Sequence, residues 1–111
     1  MTDNMVNEID SESLYRRLEA GEDFLLVDIR TPPEIAQGVI PDSIPLAMHL
    51  LPLRLDELPR ERDLVLYCRS GARSYQACSF MMQQGWTRVL NLRGGIIAWA
   101  RHGGEIALPG R

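Results

Sequence analysis

The sequence predicts an α/β fold, with a mostly parallel, five-stranded sheet that carries helices on both faces. Strand-like and helix-like segments alternate along all 111 residues, and this order places successive strands parallel with helices packed across them. Residues 24–28 are apolar up to a final aspartate, which is typical of a strand buried on both sides. The length leaves room for one domain that needs neither disulfides nor metals. We therefore expect a single domain over residues 1–111, with its core at about residues 7–104.

The first predicted elements are a short strand and a helix. Residues 6–9 are the strand candidate. Asp10 or Ser11 can cap the helix, because their side-chain oxygens accept hydrogen bonds from its free N–H groups. We expect this helix to run to about Ala20, with Gly21 in the stop position.

The middle of the chain contains two strands and two helical segments. The buried strand at residues 24–28 is followed by a short helix from Pro33, since proline suits a first-turn position. A brief strand at residues 44–46 lies between prolines. Residues 50–58 can form a helix, although Pro52 moves its start to that position or later.

The last third repeats the strand-helix order twice. Residues 64–67 form a strand, residues 74–84 the helix behind it, and Gly85 is its stop. Residues 88–92 are the last strand and residues 96–102 the last helix. Ligand crevices of such sheets lie beyond the C-terminal ends of the strands, where polar residues therefore matter most.

The loop that begins at Cys68 is the most informative segment of the sequence. It joins a strand to a helix, so the cysteine sulfur should face the first N–H groups of the helix, which have no intrahelical partners. Such a thiol ionises easily and acts as a nucleophile. A buried cysteine at the end of a core strand is the alternative. The two arginines, glycine and serine that follow Cys68 argue against an apolar burial site.

The spacing of this loop selects among cysteine chemistries. Successive N–H groups of a tight loop converge on a concavity, and the number of residues before the closing arginine sets its radius. Cysteine phosphatases need Cys-x5-Arg, which would place the arginine at position 74, where this chain has Ser74. The arginine comes one residue earlier, at Arg73. The smaller cradle indicates a persulfide on Cys68 with Arg69 and Arg73 nearby.

Residues 68–74 resemble the active-site loop of the rhodanese family of sulfurtransferases. Residues 26–30 resemble the family's strand ending in Asp-x-Arg, and residues 33–41 its following helix and turn. Residues 92–99 resemble its closing Gly-Gly turn and tryptophan-bearing helix. The resemblance covers about residues 7–104 in the family's order, and it implies a rhodanese-like fold.

The resemblance also implies the reaction. Cys68 is expected to attack the outer sulfur of thiosulfate or of a persulfide donor. The Cys68 persulfide then passes its sulfur to cyanide, a small thiol or a sulfur-carrier protein. Arg69 and Arg73 are expected to attract the dianionic donor and to stabilise charge on the leaving sulfite.

The small residues of the loop have simpler expected roles in substrate binding. Ser70, Gly71 and Ala72 should contribute mainly backbone N–H groups. Ser74 can cap the following helix or donate to the sulfur, and capping is the favoured interpretation.

Supporting residues are expected around the loop. Asp28 and Arg30 resemble the family's paired charges, and a salt bridge between them is favoured over direct chemistry. Gly94 and Gly95 should allow a tight turn beside the site, and Trp99 should pack in the core.

Two segments depart from the family pattern or lie outside it. Family members usually carry Gly-His-Ile-Pro-Gly-Ala where this chain has residues 38–43, so that Val39 replaces the histidine. We interpret this change as local repacking of the turn. Residues 105–111 form a short tail with no assigned role, and we expect it to fray.

Composition limits the partners and the compartment. The formal net charge is −3, and all 12 basic Lys/Arg residues are arginines, so no basic surface for nucleic acid is expected. No apolar run approaches the roughly 20 residues of a membrane span. Residues 1–7 lack the positive start and apolar middle of a secretory signal. The expected location is the cytoplasm.

The cysteines and histidines favour neither disulfide nor metal chemistry. Cys68 and Cys78 fit a reducing compartment in which thiols stay free. A zinc site needs about four ligands, and neither His49 nor His102 falls at a ligand-like spacing. No cofactor is expected, and Cys78 is interpreted as a core thiol and not as a resolving partner.

Three alternatives remain open at this stage. A sulfur-relay carrier would use the same Cys68 but work only with protein partners. A cysteine phosphatase or arsenate reductase on the same fold would need one more residue between Cys68 and Arg73. A non-enzymatic interaction module would leave Cys68 unchanged by thiosulfate.

Overall fold

The computed structural model describes residues 5–109, and within them five strands form one parallel sheet in the order β1-β5-β4-β2-β3. The strands are β1 Glu8–Ile9, β2 Phe24–Asp28, β3 Ile44–Pro45, β4 Asp63–Tyr67 and β5 Val89–Leu92. The helices are α1 Ser11–Glu19, α2 Pro32–Ala36, α3 Leu51–Arg54, α4 Ala72–Gln83 and α5 Gly95–Arg101. The predicted α/β fold is confirmed, and no helix in this part of the chain is long and apolar enough to cross a membrane.

The sheet is covered on both faces because β2 and β4 alternate their side chains between two core clusters. Leu64 and Leu66 of β4 point into one cluster, and Val65 and Tyr67 into the other. The first cluster is closed by side chains of α3 and α4, among them Leu51, Ala77, Cys78 and Met81. The second is closed by side chains of α1 and α5, among them Leu14 and Trp99. The core positions expected for Trp99 and Cys78 are confirmed.

The segment predicted as one helix over residues 50–58 is broken into three short pieces. The four-residue helix α3 lies between two 3₁₀ turns, Met48–Leu50 and Leu55–Glu57. Pro52 sits in the first turn of α3, as its missing N–H favours. The helix starts at Leu51, one residue before the earliest start that the sequence predicted.

The tail that was expected to fray is docked over residues 105–109, so that prediction is wrong there; residues 110–111 lie outside the described part. Val39 and Ala107 exchange backbone hydrogen bonds of 2.7 and 2.8 Å in an antiparallel bridge. The indole N–H of Trp99 donates to the carbonyl of Glu105 at 2.8 Å. The tail therefore uses the backbone of Val39, which any residue other than proline would supply at that position.

Gly95 lets the start of α5 approach the loop that contains Cys68. A Cβ at this position would lie 2.4 Å from the Arg69 carbonyl oxygen and 2.6 Å from that of Cys68. The N–H of Ile96 donates to the Cys68 carbonyl at 3.0 Å, and the N–H of Ile97 donates to the Arg69 carbonyl at 3.2 Å. The tight turn expected at Gly94 and Gly95 is present, and it fixes the backbone of the loop from behind.

We predict that Gly95→Ala destabilises the fold far more than Gly103→Ala, because both glycines have positive φ but only Gly95 faces backbone atoms. Gly103→Ala should lower the free energy of unfolding by about 1 kcal/mol, the cost of a left-handed conformation. Gly95→Ala should lower it by about 3 kcal/mol or more. Urea unfolding of both variants measures the difference, and equal losses would contradict the close approach.

Candidate active site

Cys68 lies at the C-terminal edge of the sheet, where the sequence predicted the crevice. It follows the last residue of β4, Tyr67, which pairs in register with Asp28 at the end of β2. The Ile29 N–H donates to the Tyr67 carbonyl at 3.0 Å and keeps the two chains together past the strand ends. The candidate nucleophile therefore directly follows β4, whose last four residues are buried.

The Cys68 sulfur accepts hydrogen bonds from the loop that it opens. The N–H of Gly71 lies 3.1 Å from Sγ and the N–H of Ser74 lies 3.4 Å from it. The Ser74 hydroxyl oxygen is also 3.4 Å away, and its one proton has a second possible acceptor in Asn91. The side chain is only 1% exposed, so these donors and not water are the sulfur's polar partners. The structure thus brings two of the other predicted site residues, Gly71 and Ser74, into contact with the Cys68 sulfur.

These hydrogen bonds change the ionisation of Cys68. Burial raises the pKa of the thiol, but hydrogen bonds from the Ser74 hydroxyl and from loop N–H groups lower it by more, so it lies below cysteine's ordinary value. The N–H groups belong to Ser74, Gly71 and Ser70. Cys78 behaves in the opposite way, because burial, with the negative charges of Glu8 and Cys68, raises its pKa to about 12. Of the two thiols, Cys68 is therefore the one whose pKa favours the thiolate.

The loop closes on Gly71, and the expectation that Ser74 caps the helix is wrong. Gly71 is the N-cap of α4, with φ of 100°, and Ser74 lies inside the first turn. A Cβ on Gly71 would lie 3.1 Å from the Gly94 nitrogen and 3.3 Å from the Leu92 oxygen. In this left-handed conformation, the N–H of Gly71 points toward the Cys68 sulfur.

Ser74 uses its hydroxyl for a buried network instead. Its Oγ lies 2.5 Å from Oδ1 of Asn91, in β5. The Asn91 amide nitrogen donates to Glu8 at 2.9 Å and to the Gly71 carbonyl at 3.2 Å. Asn91 therefore ties the loop and the helix start to the neighbouring strands.

Arg73 is held by a carboxylate that the sequence analysis did not identify. Its two terminal nitrogens each lie 2.8 Å from an oxygen of Glu34, in a bidentate ion pair with α2. This pairing lowers the pKa of Glu34 to about 2, against the opposing effect of burial. The negative charge of Glu34, and to a smaller extent that of Cys68, raises the pKa of Arg73. Arg73 thus joins the loop to α2 within electrostatic reach of the sulfur.

The salt bridge expected between Asp28 and Arg30 is present and buried. The guanidinium contacts both Asp28 oxygens, with a shortest distance of 2.8 Å, and the backbone N–H of Arg30 donates to the same carboxylate. Arg30 also donates to the carbonyl of Gly38 at 2.7 Å. The pair fixes the turn after α2 to the end of β2, a structural role in agreement with the favoured interpretation.

Arg69 is exposed at the edge of the loop, as are Ser70 and Ala72. Its guanidinium makes no hydrogen bond or ion pair with the residues described. It lines a cleft of about 210 Å³ that also contains Arg30 and Glu34, with Ile96, Ile97 and Ile106 on the apolar side. Of the two loop arginines, Arg69 is therefore the one whose charge no described residue pairs.

Residues 5–109 contain no candidate metal site. A metal ion would need at least three His, Cys, Asp or Glu side chains close together, and no such group is found among these residues. His49 and His102 are both exposed. The polar groups near Cys68 are hydrogen-bond donors and arginines, which suit an anion.

Sequence reasoning missed Glu34, Asn91 and Glu8. Asn91 had a visible signal, since it is the one polar residue in the otherwise apolar segment 89–92. Glu34 had a weaker one, because it stands three residues after Thr31, whose N–H and hydroxyl both bond to it at 3.0 Å as in a capping box. Glu8 lies on a short edge strand and had none.

We predict that Glu34→Gln lowers stability at neutral pH and that this loss fades in acid. A carboxyl whose pKa is depressed on folding contributes stability above its unfolded value of 4.5, and this contribution is lost as the pH falls toward about 2. The loss at pH 7 should be on the order of 1 kcal/mol, since the pair is partly exposed. Urea unfolding at several pH values measures it. Glu57→Gln, which breaks the exposed pair with Arg54, is the control and should have little effect at any pH; equal losses in the two variants would contradict the prediction.

Comparison with known proteins agrees with this geometry. The family model of the rhodanese-like domain matches residues 10–102. A protein of Allochromatium vinosum named sulfurtransferase is 71% identical over 105 residues, which cover 95% of this chain and 98% of that protein. A putative sulfurtransferase of Bacillus subtilis, YtwF, is 34% identical over 94 residues, which cover 85% of this chain and 90% of that protein. A crystal structure of a rhodanese-related protein from Thermoplasma volcanium superimposes with a TM-score of 0.83 at 28% identity, covering 92% of this chain and 98% of that one. This chain belongs to the rhodanese-like domain family.

Proposed function

We propose that this protein is a sulfurtransferase that carries sulfane sulfur as a persulfide on Cys68. The donor is thiosulfate or a persulfide, and the acceptor is cyanide, a small thiol or a sulfur-carrier protein. The observation that carries the proposal is the Cys68 sulfur, buried at the strand end and hydrogen-bonded by the N–H groups of Gly71 and Ser74. The relatives named sulfurtransferase support the same reaction class.

The reaction divides into two displacements at sulfur. The Cys68 thiolate attacks the outer sulfur of thiosulfate, the S–S bond of the donor breaks, and sulfite leaves with the bonding electron pair. The acceptor then attacks the outer sulfur of the persulfide, and the Cys68 thiolate leaves as it was at the start. Each step forms one bond to sulfur and breaks one, so the cycle needs no external oxidant or reductant.

The loop stabilises the charge that appears on sulfur in both steps. Its N–H donors are fixed by Gly71 and by α5 before the substrate arrives, so they do not have to reorganise during the reaction. The same donors lower the pKa of Cys68 against the effect of burial, and they would face the anionic persulfide. Arg69, which is exposed and lines the neighbouring cleft, would attract a dianionic donor with its positive charge.

The phosphatase alternative is weakened by the state of Arg73. An arginine that binds a phosphoryl group typically contacts two of its oxygens with its terminal nitrogens. Here both terminal nitrogens of Arg73 are bound to Glu34 at 2.8 Å. Together with the short loop, this ion pair favours sulfur transfer over phosphoryl transfer.

We predict that the reduced protein gains the mass of one sulfur atom on exposure to thiosulfate and loses it again on exposure to cyanide. Cys68→Ser should gain nothing while keeping its fold, because the two side chains are close in size and only the nucleophilic sulfur is lost. Intact mass spectrometry measures both. A protein that gains nothing from thiosulfate but takes sulfur from a protein persulfide would be a relay carrier; sulfur gained by Cys68→Ser would refute the mechanism.

We predict that Arg69→Ala raises KM for thiosulfate about tenfold with little change in kcat, because a charge-assisted contact to the donor is lost. Arg88→Ala is the matched control: this arginine pairs with Asp63 at the opposite edge of the sheet, so KM should not change. Steady-state kinetics with cyanide as acceptor provide both values. Equal effects in the two variants would show that only the overall charge matters.

A further inference from the structure

Asn91 is a buried polar residue of β5, which lies between β1 and β4 in the sheet, and its amide group contacts three other polar groups. Its side chain is 1% exposed, and it reaches Ser74 at 2.5 Å, Glu8 at 2.9 Å and the Gly71 carbonyl at 3.2 Å. A buried amide with all its hydrogen-bonding groups in use has one defined orientation. This orientation determines what Ser74 can donate to Cys68.

The neighbours of Asn91 fix which end of its amide faces Ser74. The two atoms on one side are a carboxylate oxygen of Glu8 and the carbonyl oxygen of Gly71, and both can only accept hydrogen bonds. The amide nitrogen must point to them, since a flipped amide would place oxygen against two oxygens. The oxygen Oδ1 therefore faces the Ser74 hydroxyl, and it can only accept.

Ser74 has one hydroxyl proton and two possible acceptors. Its Oγ lies 2.5 Å from Asn91 Oδ1 and 3.4 Å from Cys68 Sγ. Two oxygens at the shorter distance need a proton between them, so that proton belongs to the contact with Asn91 in this arrangement. Ser74 then presents a lone pair to the sulfur, which matches a Cys68 thiol that donates its own proton to Oγ.

We propose that Asn91 is a positioning residue for Cys68 and acts through Ser74: it holds the hydroxyl proton while the sulfur is a thiol and yields it when the sulfur becomes an anion. On ionisation, the thiol proton leaves to water and the Ser74 O–H turns from Oδ1 to Sγ. No heavy-atom bond forms or breaks. The anion gains a hydrogen bond, and Asn91 Oδ1 loses one.

The consequence is that Asn91 competes with the anionic sulfur for one proton. Removing the amide oxygen leaves Cys68 as the remaining acceptor for the Ser74 hydroxyl, so the thiolate should form more readily. The same competition applies to the persulfide anion. Asn91 would thus favour the neutral thiol of Cys68. When a thiolate or persulfide anion forms there, the Ser74 hydroxyl donates to that anion instead of to Asn91.

Other charged groups around the network do not reproduce this effect. On α4, Arg73 is paired with Glu34, and Cys78 has its pKa raised to about 12 by burial and by nearby negative charge. On β1, Glu8 accepts from Asn91 and also contacts Arg93 beyond the end of β5. These groups are present in every variant below. Asn91→Leu also removes the donor to Glu8, and comparing its effect with and without Ser74 separates that loss from the effect on the Ser74 hydroxyl.

The test is a pH titration of Cys68 in the whole protein by thiolate absorbance, with Cys68→Ser as the blank. This inference rests on the proposed role of Cys68, but the titration needs no sulfur transfer, so failure of either one is seen separately. The variants are Asn91→Leu, which matches asparagine in shape, Ser74→Ala and the double variant. Asn91→Ala repeats the experiment with a smaller side chain, and circular dichroism checks that each variant is folded.

We expect the midpoint of Cys68 to fall by about half to one pH unit in Asn91→Leu, the effect of one hydrogen bond redirected to the charged form. Ser74→Ala should raise the midpoint, and adding Asn91→Leu to Ser74→Ala should change nothing further. A rise in Asn91→Leu would overturn the inference. So would an equal shift with and without Ser74, because Asn91 would then act only by holding the Gly71 carbonyl.

Discussion

The structure depends on the hydrogen bonds that backbone N–H groups donate to the sulfur of Cys68. These bonds require Gly71 in a left-handed conformation, and that conformation fits because Gly71 faces the backbone of Gly94 and Leu92. Gly95 in turn lies against the carbonyls at the start of the loop, where α5 donates its first N–H groups. The glycines of two distant segments therefore shape the loop around the Cys68 sulfur, and Ser74 is the side chain of this loop that contacts the sulfur.

Two ion pairs hold α2 against this loop. The buried Asp28–Arg30 pair fixes the turn at Gly38, and the Glu34–Arg73 pair joins α2 to the start of α4. A buried pair gains little net stability after desolvation, but removing one partner leaves a costly unpaired charge. The positive charge of Arg73 is balanced by Glu34, whereas the positive charge of Arg69 faces solvent. In the proposed function, anion attraction and loop architecture are therefore assigned to different arginines.

The fold and the position of Cys68 at the end of a buried strand could be predicted from the sequence, because both depend on local patterns. The buried strand at residues 24–28 is observed with those bounds, since a continuous apolar run has one stable place in a parallel sheet. The contacts of Ser74, Glu34 and the tail could not be predicted, because they depend on partners far along the chain. Ser74 resembles a helix cap in isolation, and the nearer of the two acceptors of its hydroxyl, Asn91, lies 17 positions later in the chain. The tail likewise is ordered by Val39 and Trp99, which no local property of residues 105–109 indicates.

The central claim is that the folded loop stabilises an anionic sulfur on Cys68 in spite of its burial. The most direct measurement is the pH midpoint of Cys68 ionisation, taken as the absorbance difference between the natural protein and Cys68→Ser, first folded and then unfolded in urea. The account predicts a lower midpoint in the folded protein, because the N–H groups of Gly71 and Ser74 and the Ser74 hydroxyl outweigh burial. A folded midpoint equal to or above the unfolded one would contradict it, since the loop would then protect a neutral thiol and not an anion.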